Sequence, residues 1–305
     1  MSPLQSIGWG AALLYGGAMV CLVVYALHSL WLLRLFRRHR AAASAAEAAE
    51  GRQALPPDAE LPLVLVQLPV FNERDVVERL LQAAIALDWP RERLRIQLLD
   101  DSTDDSVAIA RQRIAELAAA GYPVEHLHRH DRVGFKAGAL EAGMAASEAE
   151  YVAIFDADFV PRPDFLQRAI KPFLNDPDLA LVQGRWEHHN RDANLLTRVQ
   201  AIGIDGHFAV EQGARAWGGL AMNFNGTCGM WRRQAIDDAG GWQHDTLTED
   251  LDLSYRAQMR GWRCTYRLGL DVPGELPADI CAWRSQQFRW AKGSQQTARK
   301  LAGRI

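Results

Sequence analysis

From residue 62 onward, short and nearly continuous apolar runs alternate with helix-length segments, and this alternation restricts the chain to an α/β architecture. Residues 63–68, 95–99, 124–127, 151–155 and 179–183 read as strands. Between them, Asn72 can cap a helix reaching about residue 87, with Asp75 in its first turn. Asp104 or Asp105 can open a helix to about residue 120, residues 134–146 form a Gly- and Ala-rich helical stretch, and Pro163 suits the first turn of another helix. Apolar strands separated by helices predict a mostly parallel sheet covered on both faces. Ligands of such sheets bind beyond the carboxyl ends of the strands. Asp100 and Asp101 close the second run, and Asp156 and Asp158 follow the fourth.

The remaining segments bound the organisation. Residues 7–33 contain no Asp, Glu, Lys or Arg and end in Arg34, Arg37, Arg38 and Arg40. A bilayer needs about 20 apolar residues, and flanking basic residues stay cytoplasmic. A transmembrane helix with its basic flank is therefore expected over residues 1–40, leaving the following domain on the cytoplasmic side of the membrane. Residues 41–60, Ala-rich and closed by Pro56-Pro57, read as a helical or disordered linker. Residues 61–276 form the α/β domain. Past residue 185, residues 192–215 and 249–260 look helical and 262–267 look like a strand. Residues 277–305 read as an amphipathic helix suited to a membrane surface. The net charge of -3 offers no nucleic-acid footprint. The four cysteines are far apart, which disfavours a disulfide framework or a zinc site.

Four motifs carry the candidate chemistry. In an extended segment Asp156 and Asp158 point to one side. Their hard oxygens suit Mg2+ or Mn2+, which can bridge a departing diphosphate; the plainer alternative is one capping and one solvated Asp. Asp100 and Asp101 can accept from ribose hydroxyls or base N–H groups, or simply cap the next helix. Lys136, beside Gly134 and Gly138, can meet a diphosphate at a helix start, or be an ordinary solvated lysine. Asp250 opens a helix after Thr248 and can serve as a general base, although capping by Thr248, Glu249 and Asp250 is the stronger local reading. Arg289 suits a diphosphate, Trp290 offers a sugar-stacking face, and Gln286 can bond hydroxyls. His126, His128 and His130 read as a polar strand face.

As a set, the stretches Val66–Glu73, Leu99–Asp104, Gly134–Leu140, Phe155–Asp158, Phe224–Gly229, Thr248–Asp250 and Gln286-x-x-Arg-Trp290 resemble the family 2 glycosyltransferases. The likeness is to the cellulose synthase-like group, and within it to plant-type mannan and glucomannan synthases. The resemblance implies a GT-A (nucleotide-diphospho-sugar transferase) fold. It implies inverting transfer of mannose or glucose from a nucleotide sugar (GDP-mannose or UDP-glucose) to a β-glycan or glycolipid acceptor. It assigns Asp100, Asp101, Lys136, Glu73 and Arg289 to the donor, and Asp156 and Asp158 to Mg2+ or Mn2+. Asp250 becomes the base, and Gln286, Trp290 and Glu249 contact the acceptor. Members of the group carry further transmembrane helices after this segment, whereas the sequence here stops at Ile305: either it is a fragment of a longer chain or it lacks its own channel, and polymer export stays open. A non-catalytic, membrane-tethered nucleotide-sugar- or carbohydrate-binding subunit of a glycan synthase, and a nucleotidyltransferase, are the competing readings.

Overall fold

The computed structural model describes residues 3–304, with side chains from Gly8. A single helix, α1 (Pro3–Arg52), leads into a seven-stranded sheet. The strands are β1 (Val64–Val70), β2 (Leu94–Asp100), β3 (Val124–His128), β4 (Tyr151–Ile154), β5 (Leu179–His188), β6 (Gly229–Arg232) and β7 (Arg263–Gly274). Their order is β3-β2-β1-β4-β6-β5-β7, parallel except where β6 runs against β4 and β5. The helices are α2 (Arg74–Ile85), α3 (Ser106–Ala119), α4 (Phe135–Ala145), α5 (Phe165–Asn175), α6 (Leu195–Asp205), α7 (Gln212–Trp217), α8 (Arg233–Asp238), α9 (Glu249–Met259) and α10 (Ile280–Leu301). A π-helical turn, Gly206–Glu211, joins α6 to α7.

The expected strands form because their apolar residues are buried on both faces. One core, including Val66, Leu68, Ile96 and Phe165, lies on one side of the sheet; a second, including Leu65, Leu140, Trp231 and Leu253, lies on the other. α4 comes close enough to β1 and β2 to place Lys136 at the strand ends because Gly143 has no side chain. A Cβ there would collide with the amides of Gln67 and Gln97, two buried glutamines whose network includes a 3.0 Å bond from Gln67 Nε2 to the Leu140 carbonyl.

Several expected boundaries shift. Asn72 does not cap α2; it takes a left-handed conformation (φ 54°), and its Oδ1 accepts from the Thr103 amide at 2.9 Å, tying the end of β1 to the loop after β2. Residues 41–60 divide: the Ala-rich part is helical as far as Arg52 and continuous with α1, and the rest is extended chain with one 3-10 turn at Asp58–Glu60. α1 is therefore two things at once. Its first part leaves Leu13, Tyr15, Val24 and Tyr25 bare, and it is long and apolar enough to cross a membrane. Its second part docks: Leu32 and Phe36 pack with Ala214 and Trp217, Glu50 pairs with Arg267 at 2.9 Å, and Lys171 donates to the Gly51 carbonyl at 2.8 Å.

Since the Gly143 contact sets the height of α4, Gly143→Val should overpack the β1–β2 face and cost about 1–3 kcal/mol. Thermal unfolding of the detergent-solubilised chain checks this; an unchanged midpoint contradicts it.

Candidate active site

A cleft of about 720 Å³ opens at the carboxyl ends of β1, β2 and β4 and is closed on its far side by α9 and α10. It brings together most of the residues expected from the sequence: Glu73, Asp101, Lys136, Asp156, Asp158, Glu249, Asp250, Gln286, Arg289 and Trp290 all line it.

Asp100 is the exception. Its carboxylate is buried, meets His126 Nε2 at 2.8 Å and accepts from the Ser102 amide at 2.8 Å. Burial opposes its ionisation, but the bonds from His126 and Ser102 outweigh that and hold its pKa below the ordinary range. It braces the turn, and His126 is its partner rather than one of a metal-binding row. Asp101 reaches the cleft instead, gripped at both oxygens by Arg129 (2.7 and 2.6 Å). Asp156 and Asp158 also differ from expectation in local geometry. β4 ends at Ile154, and the Asp156 carbonyl accepts from the Phe159 amide at 3.0 Å, so the two acids sit on a turn rather than on extended chain. Both still line the cleft.

The meeting point of the site is Gly226, which the sequence reading left without a role. Lys136 Nζ donates to its carbonyl at 2.9 Å and also pairs with Asp156. A Cβ on Gly226 would lie 3.1 Å from Asp250 Oδ2 and 3.5 Å from Lys136 Nζ, and φ of +80° further favours glycine. Next to it, Thr227 Oγ1 accepts from the Asp156 amide at 2.9 Å. One loop between α7 and β6 thus links the acidic turn after β4 to the start of α9. The Gly- and Asn-rich composition of residues 218–230 marked a loop; what it joins depends on β6 pairing antiparallel to β4.

The cleft is electrostatically crowded. Asp158 has no ion-pair partner among the described residues, and burial first, then Asp156, push its pKa up to about 7. Asp250 is likewise pushed to about 7 by burial and by Glu249, whose own pKa is raised by burial. Glu73 also rises to about 7 through burial and Asp156, but it stands on an exposed rim where solvent weakens the effect. Burial alone would lower the Lys136 pKa; Asp156, Glu249 and Asp250 together hold it above the usual lysine range.

Gln286, Arg289 and Trp290 fall on one face of α10, as i, i+3 and i+4 positions must. Arg289 has no ion-pair partner among the described residues, and Trp290 stands 6.3 Å from Trp186, which stacks on Phe208 of the π turn. Trp186 also lines the cleft, as do Arg132 and Thr246, which were not anticipated.

Among the described residues no group of three or more His, Cys, Asp or Glu is placed to bind a metal by itself. Two hard carboxylates, one of them unpaired and crowded by like charge, nonetheless fit a divalent cation whose remaining ligands come from phosphate.

A mostly parallel seven-stranded sheet with acids at its carboxyl ends agrees with the expected GT-A architecture. The family described as glycosyltransferase like family 2 matches residues 62–293. The chain is 46% identical over 251 residues to glucomannan 4-beta-mannosyltransferase 2 of Arabidopsis thaliana, covering 81% of this chain and 47% of that protein. It is 44% identical over 244 residues to glucomannan 4-beta-mannosyltransferase 1 of Oryza sativa subsp. japonica, covering 79% and 47%. It therefore belongs to glycosyltransferase family 2, in the cellulose synthase-like group, and spans about half the length of the curated relatives it matches. The fold is shared with the mannosyltransferase PcManGT of Pyrobaculum calidifontis, solved in complex with GDP-Man and Mn2+. That likeness has a TM-score of 0.65 and 23% identity over 90% of this chain and 75% of that one. S. aureus TarS, solved with UDP-GlcNAc, aligns with a TM-score of 0.52 at 13% identity over 71% and 59%.

The raised pKa of Asp250 has a consequence for stability. An acid whose pKa rises on folding favours the folded state below its unfolded value, and that contribution is lost as pH climbs through the folded value. Without donor, the unfolding midpoint should fall between pH 6 and pH 8, and fall less in Asp250→Asn. Equal falls in the two proteins contradict the assignment.

Proposed function

We propose that this chain carries the catalytic domain of a membrane-anchored, inverting hexosyltransferase that uses a nucleotide-diphosphate sugar. GDP-mannose is the first donor to test and UDP-glucose the second; the acceptor is a β-glycan or a glycolipid. The observation that carries this reading is the convergence of Asp250, Lys136 and Asp156 on Gly226. It sets a carboxylate beside the cation and acid that face a donor's diphosphate. The named activity of the glucomannan 4-beta-mannosyltransferases supports mannose as the sugar.

In this reading Asp101 and its neighbours hold the nucleoside end. The acceptor hydroxyl lies between Asp250 and the anomeric carbon. As its oxygen attacks, Asp250 takes the proton, the new C–O bond forms, and the bond from the anomeric carbon to the diphosphate breaks with its electron pair staying on phosphate. A carboxylate with a pKa near 7 is well matched to that proton transfer at neutral pH. Arg289 and Lys136 bring positive charge to the leaving diphosphate. Trp290 gives the acceptor sugar an apolar face, and Gln286 and Glu249 offer hydrogen bonds to its hydroxyls. Asp156 and Asp158 would hold Mg2+ or Mn2+, which supplies charge neutralisation for the diphosphate. In this reading α1 anchors the domain, and the arginines after residue 33 favour the cytoplasmic face.

Two measurements test the proposal. In membranes containing the full chain, Asp250→Asn should lower transfer by about 10²–10⁴-fold while donor binding is retained. Unchanged transfer, or no turnover of either donor by the wild type, sinks the reading. Chelation should abolish transfer, and added Mn2+ or Mg2+ should restore it; full activity in chelator contradicts the assignment of Asp156 and Asp158.

A further inference from the structure

The stripe of α10 that faces the cleft does not end at Trp290. Continuing by threes and fours, Gly293, Thr297 and Lys300 lie on the same row, with Gln296 beside them. All four meet residues 243–248, the loop between α8 and α9, or the first turn of α9 itself. A Cβ on Gly293 would lie 2.5 Å from Thr248 Cγ2 and 2.8 Å from its Oγ1, so α10 can approach this closely only with glycine there. Gln296 Oε1 accepts from the Leu247 amide at 3.0 Å. The buried Thr297 hydroxyl is 3.2 Å from that of Thr248. Lys300 Nζ donates to Gln243 Oε1 at 2.7 Å and to Asp245 at 2.6 Å. It also lies 3.0 Å from Asp252, a fully buried carboxylate that Arg256 binds on its other oxygen at 2.7 Å.

These ties matter because the N-cap residue of α9 does not cap it; the side-chain bond within the first turn is Asp250's own, accepted from the Leu251 amide at 2.8 Å. Thr248, at its N-cap, makes no side-chain bond to the helix, so the orientation of the first turn, which carries Glu249 and Asp250, is set from outside. Both ends of the 243–248 segment and the first-turn position at Asp252 are fastened to one face of α10.

We infer that the C-terminal half of α10 is a latch that sets the position of Asp250, with Gln296 and Lys300 as positioning residues for the transfer step. The inference rests on Asp250 acting as the base. Neither residue lines the cleft. A single lost hydrogen bond costs about 1 kcal/mol of stability, whereas displacing a reacting group by about 1 Å can cost 10²-fold in rate. The signature is thus a fall in kcat out of proportion to any fall in stability or in donor affinity.

The test uses the full chain in membranes or detergent. Gln296→Leu should lower kcat by about tenfold or more while donor KM stays within about twofold. Gln296→Glu, which keeps an oxygen acceptor for the Leu247 amide, should recover most of that loss. Lys300→Met should behave like Gln296→Leu, and Lys300→Arg should recover part. The inference is overturned if Gln296→Leu and Lys300→Met keep kcat. It is also overturned if kcat falls together with donor affinity or only in step with the folded fraction, or if the conservative variants are as impaired as the others. Asp250→Asn in the same assay separates the two claims: full turnover in that variant removes the base, and the latch with it. A dead Asp250→Asn beside a fully active Gln296→Leu and Lys300→Met removes the latch alone.

Discussion

Lys136 stands where Asp156, Glu249 and Asp250 converge, and the arrangement of the cleft depends on its charge. Those acids arrive from opposite halves of the sheet, one from the turn after β4 and two from the start of α9. Left to themselves they repel, and burial makes Glu249 and Asp250 harder to ionise. The ammonium offsets both effects while its second contact, to the Gly226 carbonyl, fixes the loop that lies between them. Gly143 then acquires its meaning: it lets α4 sit low enough on β1 and β2 for Lys136 to reach that point.

The second constraint runs through the helices at either end of the described chain. α1 is not tethered through a loose spacer. From Leu32 to Arg52 it is packed and ion-paired along α5, α7 and β7, so the apolar segment before it has a fixed direction relative to the cleft. α10 does the corresponding work on the other side, carrying Gln286, Arg289 and Trp290 into the cleft and gripping the segment that leads to Asp250. Exposed Ile280 and Phe288 occupy its outer face.

Where most of the strands lie was legible in the sequence because they are short apolar runs, two of them stopped by the acids Asp100 and Asp156. Which acids face the cleft was less so. Asp100 and Asp101 are adjacent, and nothing local says which one turns inward; the answer comes from His126, on a neighbouring strand 26 residues away. Asp156 and Asp158 were found through their place after β4, although the reason given, extended backbone, was replaced by a turn. The helical spacing of Gln286, Arg289 and Trp290 put them on one face in advance. The role of Gly226 was hidden, because it depends on three segments that meet only once β6 is inserted antiparallel between β4 and β5. The docking of residues 41–52 was hidden for the same reason: an Ala-rich stretch declares helix, but its partners Arg168 and Arg267 are distant in sequence.

The account's central claim is that the two halves of the cleft form one donor site, held together by the charge on Lys136. Calorimetric titration of the full chain with GDP-mannose and UDP-glucose, in the presence of Mn2+, tests it most directly. Wild type should bind one of them, and Lys136→Met, confirmed folded by its unfolding transition, should bind it at least about tenfold more weakly, the loss expected for one charge-assisted contact of about 1.5–3 kcal/mol. Equal affinity in the two proteins, or no binding of either donor by the wild type, would contradict it.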